Sequence, residues 1–199
     1  MEKAKTAFLA LVLFSLGAGM CSAPAYAAGG KKVTEAKNGV VSIQFWVENA
    51  GYYVIANNQP VKIGDYNNGA ASPRSFGSGF FVGKTGEKPS YIVTNHHVVD
   101  SFIQASEGGT YVTKTSQYYQ NQFPVYIIAD SCELRVYYDD DTYDTAYVDC
   151  YGDMEKVDLA VLKLREPTDK RKPLQIMVPT PDMVGDTVYT MGYPGNADN

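Results

Sequence analysis

The sequence predicts an all-β protein, a barrel or a sandwich, on three observations. Short runs of β-branched and aromatic residues recur between clusters of Gly, Pro, Asn and Asp, the pattern of many short strands divided by turns. Beyond residue 27 no helix-period segment longer than about ten residues stands out. Two alternating runs, 132–138 and 142–150, flank an acidic turn and read as a hairpin.

The chain opens with a targeting segment. Lys3 and Lys5 precede the apolar run Thr6–Met20, and Ala25-Tyr26-Ala27 has small residues where a signal peptidase reads. This is the composition of a secretory signal peptide, residues 1–27. The run is short for a membrane span of ~20 residues, so cleavage after Ala27 is expected, with retention as an anchor the alternative. Cys21 invites lipid attachment, but Ala18-Gly19-Met20 fits such a site poorly. The expected destination is outside the cytoplasm: secreted, periplasmic or on a bacterial cell surface.

VVSIQFWV (40–47) reads as a strand. Gly51–Ser75, rich in Asn, Gly, Tyr and Ala, reads as a loop or decorated hairpin. FGSGFFVG (76–83) is a strand, Gly83–Pro89 a turn, and Tyr91–Val99 a strand running into a short turn or helix near Asp100–Ala105. Glu107–Asp130 is polar and aromatic and reads as an inserted hairpin. VDLAVLKL (157–164) is an apolar strand, Glu166–Pro173 a charged linker, and LQIMV (174–178) and GDTVYTMGYPG (185–195) are further strands.

Within the hairpin, a loop at Asp140–Thr142 would set Cys132 opposite Cys150. In an exported protein such a pair suggests a disulfide, contributing roughly 3 kcal/mol through loop closure; two free thiols are the alternative. Asp139-Asp140-Asp141 lacks the spaced oxygen ligands and the Gly of an EF-hand and reads as a solvated hairpin tip. With only two His and the cysteines committed elsewhere, no metal site and no cofactor is expected.

The net charge is −5. Residues 1–27 carry Lys3, Lys5 and Glu2, so the mature chain is at −5 − (+1) = −6. An acidic, Tyr-rich chain argues against nucleic-acid binding, which shows a basic patch. About 170 residues suffice for one ordinary domain core.

The most informative stretch is Tyr91–Asp100, YIVTNHHVVD. His97 is followed, 61 residues on, by Asp158 at the head of an apolar strand. A His and then an Asp is the chain order of the first two members of a Ser-His-Asp triad in two-barrel serine proteases. Imidazole titrates near working pH and suits a general base; a carboxylate on its other nitrogen fixes the tautomer and stabilises the imidazolium. The third member is missing: Leu159–Asn199 contains neither Ser nor Cys. His96 is expected on the opposite face of the strand from His97. Ser78, in Gly77-Ser78-Gly79, precedes the His and is in the wrong order for a nucleophile. Bland readings compete: a structural His97 at a strand end, and an Asp158 that merely caps its strand.

SFGSGFFV, YIVTNHHVVD, ELRVYYDDDTYDTAYV, DLAVLKL and GDTVYTMGYPG, in this order, resemble the N-terminal part of a trypsin-fold serine protease. They are most similar to bacterial HtrA/Deg-like exported peptidases, in which G-S-G-F, T-N-x-H-V-V and D-L-A-V-L segments recur. The resemblance covers about residues 40–195 apart from the two loop regions. It implies a two-barrel all-β fold: a first barrel over 28–165, then a linker and the start of a truncated second barrel over 166–199. It also implies His97 as catalytic base, Asp158 as its orienting carboxylate, and protein or peptide substrates. The G-N-S-G-G-type nucleophile segment is expected beyond Asn199, together with the oxyanion hole and primary specificity pocket. The chain then reads as a fragment of an exported serine endopeptidase; the competing reading is a non-catalytic binding module on the same barrel.

Overall fold

The computed structural model describes residues 30–139 and 141–193. The proposed signal peptide, Cys21, Asp140 and the last six residues lie outside the described residues. A short helix, α1 (Gly30–Lys37), leads into β1 (Val40–Glu48), β2 (Gly51–Ala56), β3 (Gln59–Asp65), β4 (Ser72–Val82) and β5 (Tyr91–Thr94). Then come α2 (His96–Gly108), β6 (Tyr111–Tyr119), β7 (Phe123–Ala129), β8 (Ser131–Tyr137), β9 (Tyr143–Tyr151) and β10 (Ala160–Leu164). Six strands close an antiparallel barrel in the order β1-β4-β5-β10-β9-β8. The all-β expectation is met.

Strict alternation builds the barrel interior. Val41, Ile43, Phe45 and Val47 of β1 are fully buried, while Ser42, Gln44, Trp46 and Glu48 between them are only partly covered; a strand sends successive side chains to opposite faces. Phe81, Ile92, Leu134, Val136 and Leu162 complete the core from the other strands.

The two regions between the recognised motifs form one structure. Hairpins β2–β3 and β6–β7 join through β2 and β7, with Tyr52 opposite Ile127, into a four-stranded sheet of order β3-β2-β7-β6. The turn of the first hairpin is Asn57-Asn58, both at positive φ. That is the two-residue turn whose twist matches a hairpin, and Asn tolerates it. Of the two readings of 51–75, loop or decorated hairpin, the hairpin holds, and this dipeptide is its local signal.

Three expectations need correction. The strand expected over Tyr91–Val99 stops at Thr94, and His96 opens a 13-residue helix that ends at Gly109 in the left-handed region. Val98-Val99 reads locally as strand, yet Val99 and Ile103, four apart, are buried on one helical face with Phe102 packed beside them. Second, Cys132 and Cys150 are free thiols. Leu134 faces Ala146, whereas a bridge requires it to face Val148; the register is shifted by two residues. Cys132 instead lies opposite Val47 on β1 and Cys150 opposite Val161 on β10. Third, residues 175–193 carry no strand: Leu174 makes one bridge to Val82, and Pro181–Met183 is a 3₁₀ turn. Ile176, Met177, Val178, Val184 and Val188 stay exposed. A strand needs a neighbour to satisfy its backbone, and among the described residues this segment has none.

Candidate active site

α2 starts on the barrel because β4 makes room for it. A Cβ on Gly77 would lie 2.5 Å from Cγ1 of Val98, so only glycine lets the first turn sit so close. The Ser75 hydroxyl donates to the Val98 carbonyl at 3.1 Å, and the Thr94 hydroxyl to the Ser78 carbonyl at 2.8 Å. On the other side, Asp158 ends a tight loop before β10. The Gly152 N–H donates to the Leu159 carbonyl at 2.8 Å, and a Cβ on Gly152 would lie 2.5 Å from the Val157 carbonyl oxygen.

These elements bring His97 and Asp158 together by two contacts. The His97 backbone N–H donates to Asp158 Oδ1 at 2.9 Å, and His97 Nδ1 lies 2.6 Å from Asp158 Oδ2. An ionised carboxylate only accepts, so Nδ1 carries the proton, and in the neutral imidazole Nε2 is the free acceptor. The imidazole is 62% exposed and the carboxylate 30%. Burial alone would raise the Asp158 carboxyl; the His97 N–H, the His97 ring and the His96 N–H outweigh it and hold it below the usual carboxylate range.

Asn95 has a role that sequence reasoning missed. It is the N-cap of α2, extended at φ −83 and ψ 147, yet its side chain makes no cap bond. Its amide donates instead to the Asp158 carbonyl at 2.9 Å. The helix N-terminus is thus capped across the fold by the Asp158 carboxylate, and Asn95 holds the backbone of that cap. Partial positive charge at a helix N-terminus favours such an anion.

His96 diverges from His97 because the two occupy successive positions of a helical turn. Its ring is buried against Tyr151, centroids 4.8 Å apart, with Nε2 3.8 Å from Asp100 Oδ1 and Nδ1 without a hydrogen-bond partner. Ser78 is also committed elsewhere: its hydroxyl accepts from the Tyr193 N–H at 2.6 Å and faces the Tyr193 carbonyl at 3.3 Å. Among the described residues no three His, Cys, Asp or Glu side chains converge on a metal position.

Residues 77–199, more than half of the chain, match the family of trypsin-like peptidase domains. The chain belongs to that family. No curated protein matches it. As a trypsin-like peptidase domain it is protease-type, with proteins or peptides as substrates, and its closed six-stranded barrel is that family's all-β architecture.

Proposed function

We propose that the chain is part of an exported serine endopeptidase in which His97 is the general base and Asp158 its orienting carboxylate. The single observation that carries this reading is the double contact of Asp158 with the His97 ring and backbone N–H. Nε2 would take the proton of a seryl hydroxyl as its oxygen attacks the peptide carbonyl carbon, then return that proton to the leaving amine as the C–N bond breaks. Water would hydrolyse the acyl-enzyme by the same route. Asp158 stabilises the imidazolium formed between the two transfers.

The nucleophile is assigned to a Ser outside these 199 residues, since none follows Asp158 and Ser78 is engaged by Tyr193. The exposed apolar side chains between Ile176 and Val188 support reading 166–199 as a linker and the start of a second barrel. Kinship with the HtrA/Deg-like group rests on the quoted motifs, and export on residues 1–27. The test joins the chain to a second barrel carrying its Ser. That protein should hydrolyse casein and lose on the order of 10⁶ in turnover with His97→Ala, as triad knockouts do. Activity indifferent to His97→Ala ends this reading. A mature N-terminus at Ala28, found by sequencing the exported protein, tests the signal peptide.

A further inference from the structure

We propose that Arg74, on the strand that contacts the first turn of α2, forms a carboxylate-binding subsite selecting peptides with an acidic side chain or a free C-terminal carboxylate. The role deepens the peptidase reading and rests on it. β4 is bulged at this point: Phe45 faces Ser75 and Trp46 faces Pro73, which leaves Arg74 without a cross-strand partner. Bulges re-aim side chains and recur beside active sites.

Both inserted hairpins converge on the guanidinium. Nη1 donates to the Tyr66 hydroxyl at 2.7 Å and Nε to the Tyr111 hydroxyl at 3.3 Å. The guanidinium carbon stands 5.3 Å and 5.9 Å from the two ring centroids. Tyr66 follows β3 and packs edge-on to Tyr52; Tyr111 opens β6 and packs edge-on to Phe45. The walls around Arg74 are therefore fixed by their own packing.

No carboxylate of the described residues lies within ion-pair distance of this half-buried cation. Arg135 has Glu48 and Glu133, and Arg171 has Asp139. With 22 Asp and Glu in the chain, acids were not scarce. Tyrosine hydroxyls and ring faces compensate a cation only in part. Nη2 makes no hydrogen bond among the described residues and is not among the buried orphaned atoms, so it reaches solvent. A planar guanidinium presenting an open N–H edge suits a carboxylate.

One hydrogen bond ties the strand that carries Arg74 to the first turn of α2, which carries His97. Ser75, the next residue, donates to the carbonyl of Val98, the residue after His97.

The probes are acetyl-Ala-Ala-Glu-Ala-Ala-amide, its Gln counterpart, and acetyl-Ala-Ala-Ala as free acid and as amide, titrated into the 199-residue chain by ¹H–¹⁵N NMR. The Glu peptide should bind about three- to tenfold tighter than the Gln peptide, the modest gain of a partly exposed charge pair, and should shift the Arg74 Nε–H signal. If the site takes a terminal carboxylate instead, the free acid wins over its amide. Arg74→Gln should abolish the preference, and Arg74→Lys should keep only part of it. His97→Ala should keep it whole, so failure of the proposed base is told apart from failure of this subsite. Equal binding of acid and amide probes, a preference surviving Arg74→Gln, or an unmoved Arg74 signal overturns the proposal.

Discussion

Replacing Asp158 by Asn separates what this carboxylate does for folding from what it does for the imidazole. In the native chain it accepts from the His97 ring and the His97 N–H, and it is the cap that Asn95 does not provide. A hydrogen bond to a charged group contributes ~1.5–3 kcal/mol and an N-cap ~1 kcal/mol. An Asn keeps one acceptor oxygen but turns an N–H toward one of the donors. Allowing for the 30% exposure of the side chain, the loss should be about 2–3 kcal/mol. For a chain of this size that is a fall of roughly 5–10 °C in Tm. The pH dependence has a fixed sign. The folded carboxyl titrates below its ordinary value, so its stabilisation is fully present above the unfolded pKa of ~4 and lost as pH falls through the folded one. Thermal unfolding of Asp158→Asn and of the parent chain should therefore differ at pH 7 and converge in acid. Equal Tm values at pH 7, or a gap that persists unchanged down to pH ~2, would refute the reasoning.

Three further outcomes follow from named contacts. His96→Phe should leave stability within about 1 kcal/mol of the parent, or raise it, because it removes an orphaned buried nitrogen while keeping the Tyr151 contact; urea unfolding measures this. Gly77→Ala should cost about 1–3 kcal/mol through its clash with Val98, and Val98→Ala in the same chain should recover part of it, as a double-mutant cycle would read. The free thiols should label with maleimide, Cys150 faster than the less exposed Cys132. Both rates should climb steeply with pH, since burial first and then Asp149 or Glu133 push the two thiols up; absence of labelling under non-reducing conditions would instead point to a bridge.

The barrel was legible because its strands alternate cleanly and its partners are close-packed: VVSIQFWV and DLAVLKL announce a buried face without any knowledge of the neighbour. What escaped depends on pairing or on three-dimensional competition. Cys132 and Cys150 face each other only in one of two registers, and the tip between Tyr138 and Thr142 chose the other. The four-stranded sheet depends on β2 meeting β7 across more than 70 residues of sequence, a contact no local pattern encodes. Tyr91–Val99 reads as one strand because Val98-Val99 has high β propensity, whereas in the fold Val98 sits close on Gly77 and both valines belong to α2. His96 and His97 thus occupy successive positions of a helical turn rather than two faces of a strand, and His97 still pairs with Asp158.

That survival has a physical cause. Asn95 is a strong N-cap residue by type, and a helix beginning at His96 could have been capped locally. The chain uses the amide on the Asp158 carbonyl and leaves the His97 N–H, in the first turn of α2, to the Asp158 carboxylate. One charge thus closes the helix, ties two segments 61 residues apart and fixes the tautomer of His97. The arrangement makes the geometry of the site a condition of folding in this region. It predicts that Asn95→Ala, which spares every contact made by the His97 ring, should still broaden the Nδ1–H signal of His97 by loosening Asp158. Asn95→Asp offers a local cap but no donor to the Asp158 carbonyl, so it should restore helix stability without restoring that signal. A sharp His97 Nδ1–H signal in both variants would show that Asp158 is held by the loop after Gly152 alone and that Asn95 has no positioning role.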